Sequence, residues 1–288
     1  MGMAVSTGGD GRSRPVAAWW RSRYGAQMLI EIGIVAALLM TYRTIRTSNK
    51  TDLRAAFANA RDIIRFESWL GLPFEDDLQA FLLDHPALIK LLNHYYVWFH
   101  FPAAIGLLLW LYLWHSERYR AFRNLMAFST FTGLIIHLLF PLAPPRMMDG
   151  FVDTMARWGP VIYPENPLDG AANQIAAMPS LHFAWAMIVA IAVINVLDSS
   201  WRWSILVHPT LMTLSIIATA NHWWIDAAAA GLLVVAGIGL WRMANSWIGD
   251  RTWSWTSMRF QDDDGIRRLE DLANEPQPQY EAAKIRQR

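Results

Sequence analysis

The sequence predicts an all-α fold, a polytopic membrane bundle of about six transmembrane helices with an interfacial helix between the first two. Two observations carry this expectation. Hydrophobic residues make up 54% of the 288-residue chain against 17% charged, with 16 Trp and a mean hydropathy of +0.18, a more apolar and Trp-rich balance than soluble domains carry. The second is a series of apolar runs, each close to the roughly 20 residues a helix needs to cross hydrocarbon. Hydrocarbon supplies no water to stray backbone groups, so the runs are read as helices rather than strands.

The first run covers about Ala26 to Thr44 and follows a segment, residues 1–25, that carries Arg12, Arg14, Arg21 and Arg23. No small-residue cleavage pattern comes after it, so it reads as a retained anchor and not as a signal peptide. Between Thr51 and Lys90, Phe57, Ile63, Ile64, Phe66, Trp69 and Leu70 alternate with Arg54, Arg61, Arg65 and Glu67 in a helical rhythm, which predicts the interfacial helix. Gly71-Leu72-Pro73 ends it, and Asp84 to Pro86 marks a second break. The remaining runs are Leu92 to Trp114, Asn124 to Pro141, Leu181 to Leu197, Trp203 to Ala220 and Trp223 to Ala244. They complete a membrane domain over residues 26–244. Beyond it, Asp262 to Asp264, Arg267, Arg268, Glu270 and Asp271 precede Pro276 and Pro278, so residues 245–288 read as a solvated cytoplasmic tail.

A formal net charge of +1 offers no field for nucleic acid. Cysteine is absent, which removes disulfides, thiolate nucleophiles and Cys-ligated metals. Arg12, Arg14, Arg21, Arg23, Arg118, Arg120, Arg123 and Arg202 fall on one side of the membrane if all six runs cross, and that side is expected to be cytoplasmic. Arg43, Arg46, Lys50 and Arg54 argue the other way.

With that topology, PLAPPRM after the third span, MPSLH at the start of the fourth and ANHWWID between the fifth and sixth share the outer face. Polar groups at helix ends in a membrane protein are a site hypothesis by default. His222 and Asp226 stand one helical turn apart, and a carboxylate beside an imidazole orients it as a nucleophile; the alternative is a structural pair capping a helix. Ser180 suits a helix N-cap whose positive end binds phosphate, and His182 in the first turn is placed to protonate a leaving oxygen; the alternative is an ordinary helix start. Arg146 projects from a stretch stiffened by Pro141, Pro144 and Pro145 and suits a bidentate grip on phosphate, or snorkelling to headgroups. His100, His137 and Glu31, inside apolar runs, are read as partners in interhelical hydrogen bonds; the alternative is that each reaches the site or binds a headgroup. The Trp residues, Trp223 and Trp224 included, are read mainly as an interfacial belt.

PPR, PSLH and NHWWID, in that order, resemble the signature of the type-2 phosphatidic acid phosphatase superfamily over a core of about residues 125–244. The resemblance implies a lipid phosphatase or headgroup phosphotransferase working through a phosphohistidine. It assigns His222 as nucleophile, Asp226 as its orienter, His182 as acid and then base, and Arg146 with Ser180 as phosphate binders. Two cations of the usual pattern are missing: Leu139 stands in the region of the first-motif Lys, and Ser215 is followed by Ile216 in place of Arg. That reduced set resembles the inositol-phosphorylceramide-synthase-like branch, whose donors are phosphodiesters; a singly charged diester needs fewer cations than a monoester. The expected partners are a lipid phosphate or phospholipid and the membrane itself, with no cofactor and no metal. The expected location is the plasma membrane, with the site on the extracytoplasmic side. Two rivals from other classes are a metal-dependent oxygenase built on two histidines and a carboxylate, and a transporter or scaffold whose polar groups line a pathway.

Overall fold

A computed structural model describes residues 28–41, 44, 52–161 and 174–248, with side chains to 244. The N-terminal segment 1–25 and nearly all of the tail 245–288 lie outside these residues. The described chain is helical, and its one β-type pairing is an isolated parallel bridge between Leu142 and Ala176.

Helix α1 covers Met28–Thr41. Its Glu31 forms an ion pair with Arg123, both half-buried, so this span residue does find an interhelical partner. Helix α2 (Leu53–Leu70) starts at Asp52, whose carboxylate accepts from Ala55 N–H, and stops at Gly71 in the left-handed region, φ 68°. Only glycine adopts that conformation without steric cost, which is why Gly71-Leu72-Pro73 ends the helix. Its buried positions are Ala56, Ala60, Ile63 and Glu67, spaced at one helical face, while Arg61, Arg65, Phe66 and Trp69 are exposed. Helix α3 (Glu75–Leu83) opens on Glu75, Asp76 and Asp77, negative charges that favour a helix N-terminus.

Pro86 occupies the first turn of α4 (Pro86–His94), where its missing N–H costs nothing. A π-helical turn, Tyr95–Phe99, joins α4 to α5 (His100–Trp114), giving one helical rod over Pro86–Trp114. The second apolar run therefore begins six residues earlier than its hydropathy implies. Helix α6 (Ser116–Leu139) likewise starts ahead of its run. Its Arg118 is buried and donates to the Asn195 carbonyl at 2.6 Å, so this cation is committed to the last turn of a neighbouring helix. A short helix α7 (Thr154–Trp158) follows, then α8 (Leu181–Val196), α9 (Val207–Ala218) and α10 (Trp224–Ile248). A 3-10 segment, Ser200–Leu206, leads into α9.

Among the described residues, three helices are long and apolar enough to cross a membrane: Pro86–Trp114, Ser116–Leu139 and Trp224–Ala244. The chain is therefore an integral membrane protein. Met28–Thr41 and Leu181–Val196 are apolar but shorter. Helix α8 is the centre of the bundle, packed by α5, α6, α9 and α10, and its apolar residues on every side suit that burial. Glycine permits close approach at two points. A Cβ at Gly133 would lie 2.7 Å from Leu181 Cδ2, and one at Gly237 would lie 2.8 Å from both Leu125 Cδ1 and Phe128 Cδ1. These contacts seat α6 against the start of α8 and against α10.

Candidate active site

Three loops meet at one end of the bundle, and backbone hydrogen bonds tie the first to the other two and the second to α10. The first follows α6. Phe140 ends that helix and the chain runs extended into the bridge with Ala176: Leu142 N–H donates to Ile175 O at 2.8 Å and Ala177 N–H to Leu142 O at 3.3 Å. Pro145 then starts a single 3-10 turn containing Arg146, whose N–H donates to Ala220 O at 2.8 Å. The third loop is the turn between α9 and α10. Asn221 and His222 N–H both donate to Ile216 O, and Ala220 sits at φ 54°, an unfavourable conformation for a residue with a Cβ. Such strain persists where surrounding contacts over-determine it, and here the Ala220 carbonyl is held by Arg146.

His222 is buried at 5% exposure. Its Nδ1 lies 2.8 Å from the Ala177 carbonyl and 3.2 Å from Asp226 Oδ2. A carbonyl only accepts, so Nδ1 carries the proton and Nε2 keeps the lone pair. Asp226 is fully buried; its Oδ2 also accepts from Trp223 N–H at 2.9 Å, and its backbone carbonyl accepts from Ser180 N–H at 3.1 Å. That last bond joins the second loop to α10. Ser180 is the N-cap of α8: its Oγ accepts from Phe183 N–H, which leaves the hydroxyl proton to donate elsewhere.

His182, half-buried, faces His222 with ring centroids 6.1 Å apart. Its ring is stacked on Tyr96 at 4.1 Å and also packs on His100 at 4.3 Å. Tyr96 and His100 lie one turn apart across the π-helical segment, whose widened turn is a frequent companion of functional sites. Arg146 places Nη1 2.7 Å from Asn221 Oδ1 and Nε 3.8 Å from Asp153 Oδ2, with its side chain only 4% exposed. All five residues singled out in the sequence, His222, Asp226, His182, Arg146 and Ser180, thus lie in or beside these three interlocked loops.

Two further carboxyls join the cluster without a motif to announce them. Glu67 Oε1 accepts from Ile225 N–H at 2.8 Å and Glu75 Oε1 from Trp224 N–H at 3.0 Å. Both glutamates are buried, at 4% and 3% exposure. Burial pushes the Glu67 carboxyl up to about 8, the charge of Glu75 adds to the rise, and the Ile225 N–H opposes it. Burial raises Glu75 as well. Each carboxyl lies close enough to the other to bear on its protonation.

Comparison with known families locates this constellation. A profile of the PAP2 superfamily matches residues 61–240. The chain belongs to the PAP2 superfamily. The match runs from within α2 into α10, and so includes Glu67 and Glu75 as well as the three loops. No curated protein and no solved structure matches the chain. PAP2 membership makes the protein a membrane phosphatase or phosphotransferase in class.

The two departures in the PAP2 signature have clear structural settings. Leu139 is 79% exposed, and Ile216 is fully buried in the cluster that includes Tyr96 and Met212. Among the described residues no three His, Asp or Glu side chains are arranged as metal ligands; His222 and Asp226 face each other through a hydrogen bond instead. His137 bonds the loop before α8 and not another helix, its Nε2 lying 3.0 Å from the Pro179 carbonyl. His100 packs on His182 and stacks on Trp185 at 4.7 Å, which places it beside the cluster. Trp223 also departs from the belt reading. It is 1% exposed, packed with Leu142, Ala143 and Ala177, and donates Nε1–H to the Ala143 carbonyl at 2.9 Å.

Proposed function

We propose that this PAP2 protein is a lipid phosphoesterase or headgroup phosphotransferase that works through a phosphohistidine on His222. The observation that carries the reading is the double anchoring of His222 Nδ1 by the Ala177 carbonyl and Asp226, which leaves the lone pair on Nε2 of a ring whose centroid lies 6.1 Å from that of His182. In the first step Nε2 bonds to phosphorus, the bond from phosphorus to the leaving oxygen breaks, and His182 donates a proton to that oxygen. The imidazolium formed is stabilised by Asp226. In the second step His182 takes a proton from water or an alcohol, the new oxygen bonds to phosphorus, and the N–P bond breaks. Arg146, Ser180 and the N-terminal end of α8 hold the phosphate oxygens.

The charge balance favours a phosphodiester donor, such as a phosphoinositol lipid. Arg146 is flanked by Asp153, Asp226 is paired with His222, and Glu67 and Glu75 take N–H groups of the first turn of α10. A singly charged diester meets less repulsion there than a dianionic monoester. In the topology proposed, α1, the rod Pro86–Trp114, α6, α8, α9 and α10 cross the plasma membrane, and the three loops face the extracytoplasmic side. The test uses the purified protein with ³²P-labelled phosphatidylinositol and phosphatidic acid, followed by quenching and isolation of acid-labile phosphoprotein. Label on His222, lost in His222→Ala and formed faster from the diester, is the expected result. Protein that turns over either lipid at full rate with alanine at 222 would refute the mechanism.

A further inference from the structure

We infer that Glu67 and Glu75 are positioning residues for the nucleophile, acting through the first turn of α10; this rests on the role of His222 proposed above. Helix N-termini present N–H groups without intrahelical partners, and a side chain close in sequence usually satisfies one of them. Three other helices follow that rule, with Asp52 capping α2, Asp153 capping α7 and Ser180 capping α8, each within three residues, while α3, α4, α6 and α9 have no side-chain cap. At α10 the pattern changes. Trp223 N–H goes to Asp226 Oδ2, but Trp224 N–H goes to Glu75 and Ile225 N–H to Glu67, carboxyls supplied by two other helices and far away in sequence.

That solution is costly for stability alone. It buries two carboxyls side by side where a single Ser or Asp near α10 would serve, and burying acidic groups carries a desolvation penalty. What it adds is fixation of α10 from outside. Trp224 Nε1–H also donates to the Pro73 carbonyl at 2.9 Å, between α2 and α3. Asn59 of α2 donates to the Pro141 carbonyl at 2.8 Å, and Ala143 N–H donates to the Ala56 carbonyl. Gln79 of α3 bridges Val152 and the Ala218 carbonyl. Helices α2 and α3 therefore form a bracket over the three loops, and the two glutamates are the points where it grips α10. Asp226 directly follows the gripped residues, and His222 precedes them by one intervening residue, Trp223. A displacement of about 1 Å in a reacting group costs on the order of 100-fold in rate, so the grip bears directly on the attack by Nε2.

The experiment compares Glu67→Ala, Glu67→Asp and Glu67→Gln, and the same three changes at Glu75, in the full-length protein. Turnover of ³²P-phosphatidylinositol and phosphatidic acid is divided by the number of sites that form acid-labile label. Glutamine keeps an oxygen that accepts from the same N–H; aspartate keeps the acid but withdraws it by about 1.5 Å. Positioning therefore predicts the order Gln, Asp, Ala, with kcat per labelled site within about fivefold of wild type for Gln and about 10- to 100-fold down for Ala, and KM within threefold throughout. Where an alanine variant does not fold, a kcat for Gln above that for Asp supports the inference by itself. A wild-type kcat per labelled site in the Asp variants, with only the number of active sites reduced, overturns the inference and leaves a structural cap. Absence of label on wild-type His222 from either lipid removes the phosphohistidine reading first, and this inference with it.

Discussion

Replacing Asp226 with Asn separates the charge of the carboxylate from its geometry. Two donors, His222 Nδ1–H and Trp223 N–H, converge on Oδ2, so the amide must turn its oxygen toward them and its nitrogen toward the Oδ1 position. The imidazole keeps its tautomer, because Nδ1 retains the Ala177 carbonyl at 2.8 Å, the shorter of its two bonds. The roughly 10⁴-fold loss seen where an aspartate alone sets the tautomer is therefore not expected. What disappears is the charge assistance as His222 becomes an imidazolium. A hydrogen bond to a charged group is worth about 1.5–3 kcal/mol against about 0.5–1.5 for a neutral one. The difference, about 1–1.5 kcal/mol, slows phosphoenzyme formation about 5- to 15-fold. Asp226 Oδ1 has no hydrogen-bond partner among the described residues, so the new Nδ2 is a buried donor without an acceptor and costs about 1–3 kcal/mol of stability. Rapid-quench measurement of labelled protein in a single turnover, normalised to labelled sites, gives the rate free of that loss. A 10⁴-fold drop would show that the Ala177 carbonyl does not hold the ring, and an unchanged rate would show that the carboxylate charge takes no part.

Four other outcomes are expected. His182→Asn slows release of an alcohol leaving group about 10²- to 10⁴-fold, while a p-nitrophenyl ester, whose leaving oxygen needs no proton, recovers to within about tenfold; equal losses on both substrates would argue against an acid role. Asn221→Ala removes the 2.7 Å contact to Arg146 Nη1 and raises KM about tenfold with kcat within threefold, about the 1.4 kcal/mol of one charged hydrogen bond, as read from initial rates. The raised pKa of Glu67, about 8 against 4.5, means the folded protein holds a proton the unfolded chain releases. Its stability is therefore highest below about 4.5 and falls as pH climbs to about 8, by up to about 1.4 kcal/mol per pH unit; Glu67→Gln flattens that slope in thermal melts taken across the window. Gly237→Val drives a side chain into Leu125 and Phe128 and lowers stability by about 1–3 kcal/mol, without altering turnover per labelled site.

The membrane helices are legible in the sequence because hydropathy and backbone satisfaction leave few options for runs such as Leu92 to Trp114 and Trp223 to Ala244. Their edges are not. Ser116–Leu139 carries Arg118, Arg120 and Arg123 in its first turns, and a hydropathy window stops short of such charges even when one of them, Arg118, is buried against Asn195. The candidate site residues stand out in the sequence as residue types at helix ends, since imidazole, carboxylate and guanidinium are scarce in an apolar chain. The bonds that assemble them are not, because the acceptors are carbonyls of Ala177, Ala143, Ala220 and Pro179, and a carbonyl leaves no trace in the residue code. Glu67 does carry a signal. It falls at the end of the stripe Ala56, Ala60, Ile63, the side of α2 that packs, so its position on the helix implies burial. Glu75, at the start of an acidic first turn, looks like an ordinary dipole residue, and only the fold distinguishes it from Asp76 and Asp77.

Two helix N-termini approach this site, and the side chains placed at them divide their work. The start of α8 is capped by one small hydroxyl, Ser180, in a loop tethered to α10 by the bond from Ser180 N–H to the Asp226 carbonyl. The start of α10 is closed by three carboxyl groups, from Asp226, Glu75 and Glu67. Glu67 holds its proton up to about 8, so the charge there rests on the remaining carboxylates, and an anion drawn to helix dipoles in this cluster meets attraction at α8 and repulsion at α10. Under the proposed function, the phosphate settles against α8 and Arg146, across from the imidazole of His222. That imidazole belongs to the negative side of the cluster, where carboxylates stabilise the positive charge it gains on bonding to phosphorus. The carboxyls that repel the substrate's charge from α10 are thus the ones that favour the covalent intermediate, and a donor with one negative charge instead of two meets the smaller penalty on the way to it.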